Sequence, residues 1–163
     1  MIKQEYTSAN TSVNKNRVPA LFHQVTFCTG TVNLDYGGGK YDTATEYLAS
    51  QGVTNLIYDP YNRTVEHNQA VIDRVIRIGG ADTVTCSNVL NVIKELEVRL
   101  DILQNIKQLM KPNGIVYIKV YVGNGTGIEK VTKAGFQLNR KPEQYLKEVQ
   151  MVFPKAYQQG SLI

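Results

Sequence analysis

Tryptophan is absent, and histidine and cysteine occur only twice each in 163 residues. Cys28 and Cys86 lie far apart with no His/Cys cluster beside either, which excludes a zinc motif or a disulfide framework as the organising device. Both thiols are expected to be buried and reduced. No apolar run approaches the ~20 residues a membrane helix requires, so no membrane partner is expected. The opening stretch MIKQEYTSANTSVNKN lacks the apolar core of a signal peptide, and the expectation is a cytoplasmic protein. Neither charge sign dominates. The net charge is +4 and the basic residues are scattered, which reads as a solvated surface rather than a polyanion-binding stripe. Internal repeats and low-complexity linkers are also missing. What remains is an ordinary globular composition, 42% hydrophobic and 20% charged, of a length that suits one domain with its own core.

The chain divides into a polar arm, residues 1–17, and a patterned remainder, residues 18–163. Pro19 opens a short helical stretch, ALFHQVTF, which Gly30 breaks. Residues 31–36, 54–59, 82–87 and 115–121 read as buried strands. Between them, residues 43–52 begin with a T-x-x-E capping box (Thr43, Glu46) and read as a helix, as do residues 65–78. Leu96, Leu100, Leu103, Ile106 and Met110 mark one face of another helix. Lys111-Pro112-Asn113-Gly114 reads as a turn. Strands alternating with helices predict an α/β domain with a mostly parallel, Rossmann-like sheet. After residue 121 a Gly-rich loop, a strand or ribbon (KAGFQLNRK), a helix (PEQYLKEVQMVF) and a final edge strand are expected.

In such sheets ligands bind beyond the carboxyl ends of the strands, beside the first one. There the sequence places Asp35-Tyr36-Gly37-Gly38-Gly39-Lys40-Tyr41-Asp42. A phosphate-binding P-loop needs a hydroxyl after Gly39-Lys40, and Tyr41 stands there instead. A dinucleotide turn needs a third glycine where Asp42 stands, and Asp35 would repel a diphosphate. S-adenosylmethionine has no phosphate and carries two cationic groups, so acids flanking the turn favour it. Asp59, at the end of the second strand, is placed to accept hydrogen bonds from both ribose hydroxyls.

The stretches VNLDYGGGKYD, NLIYDPYNR, ADTVTCSNVLNVI and LMKPNGIVYIKVY, from about residue 31 to 121, resemble the Rossmann-like (class I) S-adenosylmethionine-dependent methyltransferases. The DPYNR and SNVLNVI pieces are also similar to small methyltransferase-like proteins of bacteria and phages. The resemblance implies a methyltransferase domain over residues 18–163, with S-adenosylmethionine as cofactor and no metal. Asp35, Tyr36, Gly37, Gly39, Lys40, Asp59, Pro60, Tyr61 and Asn88 are its candidate cofactor-binding residues. Asn88 and Asn91 follow the fourth family strand and are the candidates for the catalytic end of the site. Both asparagines have capping as their alternative role. Between Asp59 and Asp82 there is room for one helix but hardly for the family's third strand, whose loop often reads the adenine amine; VIRI (75–78) is read as helix.

Other residues have plainer readings. His67 and His23 are expected at the surface or in packing. Tyr36, Tyr41, Tyr58 and Tyr61 divide between core and an aromatic wall suited to a sulfonium. Lys130, Lys133, Arg140 and Lys141 form a basic edge that is either solvated or meets a phosphate-bearing substrate. In the arm, Thr11, Ser12, Asn14, Asn16, Lys15 and Arg17 either serve the cofactor's amino-acid end or belong to a free tail. The leading reading is methyl transfer to an acceptor that is a small molecule or a nucleic acid. A non-catalytic binder of the cofactor or its product, a partner subunit, or another enzyme of that cofactor such as a lyase are the alternatives. The acceptor, the general base and the oligomeric state are not legible.

Overall fold

The computed structural model describes residues 4–11 and 15–163. Four strands, β1 (Val32–Tyr36), β2 (Thr54–Tyr58), β3 (Ala81–Ser87) and β4 (Met110–Lys119), form one parallel sheet in the order β2-β1-β3-β4. The chain starts at β1, moves outward to β2, then returns past β1 to β3. That reversal opens a crevice at the carboxyl ends of β1 and β3. The crossovers are α2 (Thr43–Ala49) and α3 (Val65–Arg77). Right-handed connections running in opposite directions must lie on opposite faces of the sheet. Accordingly one core gathers Ala44 and Leu48 of α2 with Leu21 and Phe22 of α1 (Ala20–Gln24). The other gathers Val71 and Val75 of α3, Leu103 and Ile106 of α4 (Leu96–Leu109), and Val149 and Val152 of α5 (Pro142–Val152).

With helices on both faces, β1 is buried along nearly its whole length. Its polar side chains therefore need partners. Asn33 Nδ2 donates to Asn55 Oδ1 (2.7 Å) and to Thr85 Oγ1 (3.0 Å), Thr83 Oγ1 donates to Asn33 Oδ1 (2.8 Å), and Thr85 Oγ1 donates to Asp35 Oδ1 (3.0 Å). This ladder fixes the register of three strands, because a one-residue slip would leave several buried polar groups unmatched.

Between β2 and β3 the described chain holds α3 and no strand, and residues 75–77 of VIRI belong to that helix. After β4 come an antiparallel hairpin, β5 (Glu129–Thr132) and β6 (Gly135–Leu138), and then α5. The final edge strand is reduced to a bridge: Leu162 faces Lys119, and Ile118 and Ile163 exchange backbone hydrogen bonds of 2.7 and 2.9 Å.

Several local expectations are corrected. Thr43 is not the cap of α2. Asp42 holds that position without a side-chain bond to the helix's own N–H groups, and the Thr43 hydroxyl donates to the Arg17 carbonyl (3.3 Å). Residues 111–114 do not precede the strand; β4 already pairs at Met110. Its register runs from Ala81↔Met110 to Thr83↔Ile115, so the Pro-Asn-Gly segment is carried as a bulge. The strand stops at Lys119, because the Tyr121 N–H turns away to Asn91 Oδ1 (3.2 Å). Cys86 is buried as expected, but Cys28 is exposed, lying in the turn where its carbonyl accepts from the Thr31 N–H. On α4, Leu96 is 39% exposed while Val98 and Arg99 are buried. The Arg99 guanidinium pairs with both carboxylate oxygens of Glu148 (2.7 and 2.8 Å) and donates to the Ile93 and Lys94 carbonyls. Among the described residues no helix is long and apolar enough to cross a membrane.

Candidate functional site

The glycine turn leaves β1 with φ of 79° at Gly37 and 77° at Gly39, backbone that a side chain resists. Gly37 also passes close to its neighbours. Its N–H donates to the Tyr58 carbonyl (2.7 Å), and a Cβ there would stand 2.4 Å from Val89 Cγ2. The turn is pinned from both sides by the segment after β2. Asp59 Oδ2 accepts from the Gly39 N–H (2.9 Å), and Arg63 Nε donates to the Gly39 carbonyl (2.8 Å). Arg63 also pairs with Asp42 (2.8 Å).

Asp59 is 5% exposed, and its second oxygen is fully engaged. Oδ1 accepts from the Tyr61 and Asn62 N–H groups (2.9 Å each) and from Asn62 Nδ2 (3.2 Å). Only Oδ2 retains capacity for a further donor. Asn68 of α3 clamps the Asp59 backbone, accepting from its N–H and donating to its carbonyl (2.9 Å each). The sequence reading missed Arg63 and Asn68. The polar Asn-Arg after Asp59-Pro60-Tyr61 was the available signal for the first; nothing local marks the second.

Asp35 lies beneath the turn, not against the cavity. A Cβ on Gly38 would come within 2.4 Å of Asp35 Oδ2. Burial pushes the Asp35 carboxyl up to about 7, with the Thr85 hydroxyl opposing the shift. Lys40 places its ammonium 5.3 Å from the centre of the Tyr41 ring and does not line the cavity.

Above the turn lies a cavity of about 480 Å³, within the size range of small-molecule sites. Gly37–Gly39 and Tyr58–Asn62 form its floor, Ser87–Val89 one wall, and Val98, Asp101, Ile102 and Asn105 of α4 another. Gln4, Ser8 and Thr11 of the arm complete the rim. The arm is held there by the stacking of Tyr6 on Phe136 (5.6 Å), by the Glu5 N–H on Glu95 Oε1 (2.9 Å) and by the Lys94–Glu5 pair. Lys15, Asn16 and Arg17 are exposed and away from the cavity, and Ser12 and Asn14 lie outside the described residues. The Tyr36 and Tyr58 rings meet at 4.8 Å with their planes tilted, and Asn105 lines the cavity with them. Burial pushes the Tyr36 hydroxyl above its ordinary value. Pro60 and Tyr61 line the same space.

The two asparagines separate. Asn88 lines the cavity with φ of 59°, a conformation asparagine tolerates, and its N–H donates to the Lys119 carbonyl (2.8 Å). Asn91 is buried away from it, between Tyr121 and Gln137, to which its Nδ2 donates (3.1 Å). His67 is half-buried, with Nε2 2.8 Å from the Ile57 carbonyl, and His23 is exposed with its ring against the Tyr47 ring. Lys130, Lys133 and Lys141 are exposed; Arg140 reaches Glu148 (3.2 Å).

The described lining carries two carboxylates, Asp59 and Asp101, and no Lys, Arg or His. Such a lining repels phosphate and suits a neutral or cationic ligand. Two buried side-chain atoms at the cavity have no hydrogen-bond partner, Ser87 Oγ and Gln4 Oε1. Unsatisfied buried polar atoms facing a cavity are what a polar ligand would satisfy. No group of three potential metal-ligating side chains occurs among the described residues.

A family model described as a methyltransferase domain matches residues 15–155. No curated protein matches the chain.

Proposed function

The chain belongs to the methyltransferase-domain family, and from that premise we propose that its cavity binds S-adenosylmethionine and that the protein transfers the methyl group to an acceptor approaching along Ser87 and Asn88. One observation carries the reading. The space above a glycine turn that departs from the phosphate-binding patterns is lined by carboxylates and aromatic rings, and the described lining holds no basic side chain. The ligand it suits is polar, bears a planar base and a positive charge, and lacks phosphate.

When bound, the cofactor supplies a methyl group on a positively charged sulfur. The chain's own contribution is placement. Gly37 and Gly39 leave the backbone open to close approach, and Asp59 Oδ2 retains one acceptor position for a ribose hydroxyl. Tyr36, Tyr58 and Tyr61 present π faces and edges to a cationic centre. Ser87 Oγ and Gln4 Oε1 offer their unused hydrogen-bonding capacity, the first at the acceptor end and the second at the rim. Holding two reactants at contact distance and in line supplies much of the rate of such a transfer.

The test is calorimetry with S-adenosylmethionine and S-adenosylhomocysteine, followed by product analysis with pools of small-molecule and nucleic-acid acceptors. S-adenosylhomocysteine release supports transfer. Methylthioadenosine release assigns a lyase instead, and binding without turnover on any pool assigns a binder or partner subunit. Absence of binding overturns the reading.

A further inference from the structure

β4 closes the sheet on one side. Its inner edge pairs with β3, and among the described residues its outer edge meets only the bridge at Leu162 and Ile163. Successive residues of a strand turn their backbone groups to opposite edges. Ile118 gives both its N–H and its carbonyl to Ile163, on the outer edge. Val116, two residues earlier, therefore presents its own N–H and carbonyl on that edge, and no described residue fills them. A second cavity of about 470 Å³ lies there, sharing no lining residue with the one above the glycine turn. Residues 114–118 of β4 form one side of it, and the end of α5 with the segment 153–157 forms the other. Val116 packs toward one core and Tyr117 toward the other, so the groove follows the edge itself. Ile115 and Tyr157 line it with 52% and 72% of their surface exposed. Its only charged side chains are Lys107 and Lys155. Lys107 donates to the Val152 carbonyl (3.0 Å) and keeps two of its three donors, and Lys155 is exposed without an ion pair among the described residues.

Three kinds of occupant fit an apolar groove, and the edge discriminates among them. A small apolar molecule would cover the walls but leave the Val116 N–H and carbonyl without partners. A second copy of the chain would bring Lys107 and Lys155 against their own equivalents, a like-charge contact. An extended peptide satisfies both requirements, because its backbone can pair with an open strand edge while its side chains meet the walls. The two lysines, with no acidic side chain in the lining, set the sign of its charge. We propose that the outer edge of β4 is a docking site for an extended segment of a partner protein, an apolar run flanked by carboxylates. The segment runs antiparallel to β4 in line with the Ile163 bridge and exchanges backbone hydrogen bonds with Val116. Its apolar side chains lie against Phe153 and Tyr157, and its carboxylates meet Lys107 and Lys155. This site is independent of the methyl-donor reading, since nothing in it touches the other cavity.

The probes are two fluorescent, end-capped peptides: a run of valines flanked by glutamates, and the same run flanked by lysines. Anisotropy on the full chain should show the glutamate peptide binding about tenfold more tightly or better. Lys155→Glu reverses one charge of the groove, so the ratio should fall toward unity or invert. Because Lys155 is exposed and unpaired, that variant should melt with the wild type. Val116→Pro removes the outward N–H, a change that an edge strand tolerates, and should weaken the glutamate peptide about fivefold or more. If Val116→Pro does not fold, the charge reversal decides alone. Absence of saturable binding by the glutamate peptide overturns the proposal. So does equal affinity for the two peptides, which marks an unselective apolar slot, or a ratio that Lys155→Glu leaves unchanged. Sedimentation of the chain without peptide provides the remaining check: a dimer that Val116→Pro dissociates gives the edge to a second copy and overturns the peptide assignment.

Discussion

Replacing Asp59 by alanine tests how the floor of the cavity is held. The substitution deletes four hydrogen bonds: one to the Gly39 N–H, two to the Tyr61 and Asn62 N–H groups, and one to Asn62 Nδ2. Hydrogen bonds to a charged group are worth roughly 1.5–3 kcal/mol each, but they do not add when one group makes them all. The donors at Tyr61 and Asn62 lie in an exposed or half-buried segment and regain water, whereas the Gly39 N–H is buried and stays unpaired. The expected loss of stability is therefore about 3 kcal/mol, which lowers Tm by roughly 6–12 °C in a domain of this size. Asp59→Asn separates the parts. One carbonyl oxygen can still serve Tyr61 and Asn62, but an NH2 group then faces the Gly39 N–H. It should lose about as much stability as the alanine variant, because the buried Gly39 N–H is again left unpaired, and weaken S-adenosylhomocysteine binding by ~1–3 kcal/mol through the misplaced turn and the lost ribose acceptor. Thermal unfolding and calorimetry on both variants measure these terms. An Asp59→Ala protein that unfolds within about 1 kcal/mol of the wild type would refute the claim that this carboxylate holds the turn.

Other perturbations reach different parts of the site. Gly39→Val should fold with about 1–2 kcal/mol less stability, because a β-branched residue resists φ of 77°, and should bind S-adenosylhomocysteine poorly; normal affinity would remove the turn as the cradle. The Asp35 carboxyl, raised by burial from 3.8 to about 7, holds a proton in the folded state that the unfolded chain gives up. Its stabilising contribution is full below pH 3.8 and is lost as the pH rises through about 7. Urea melts should then show Asp35→Asn gaining on the wild type across that window, and parallel pH profiles would contradict it. Deleting residues 1–16 should weaken binding by removing the rim contributed by Gln4, Ser8 and Thr11, with a smaller effect on Tm. Unchanged affinity would make the arm a bystander.

The sheet was legible because its strands carry dense apolar runs, and the glycine turn because residues with a Cβ resist the φ values at Gly37 and Gly39. The missing strand between β2 and β3 was legible from length alone. The failures have physical causes. The Thr43 capping box satisfied its pattern, but the hydroxyl found the Arg17 carbonyl instead. The apolar periodicity of α4 located Leu103 and Ile106 in the core, yet gave no hint that Arg99 would be buried, since that depends on Glu148 far along the chain. Asn91 looked like a site residue because it follows a strand end. Its partners, Tyr121 and Gln137, exist only once the hairpin has docked. Asp35 was placed correctly beside the turn, but sequence cannot tell above from below. Asp101 was overlooked as one polar residue on an amphipathic helix.

The ties that set the α4 wall also impose an order of assembly. Every strand of the sheet is complete by Lys119, so its parallel pairing can form from the first three-quarters of the chain. The wall cannot. Asn91 waits for a partner 46 residues later, Arg99 for one 49 residues later, and Lys107 for the Val152 carbonyl. Loop closure over such separations is slow relative to local helix formation. Competence to bind ligand should therefore trail the sheet, both in refolding and as the chain leaves the ribosome. In stopped-flow refolding, the binding signal should appear after the secondary-structure signal; simultaneous appearance would mean that the α4 wall forms without its late partners.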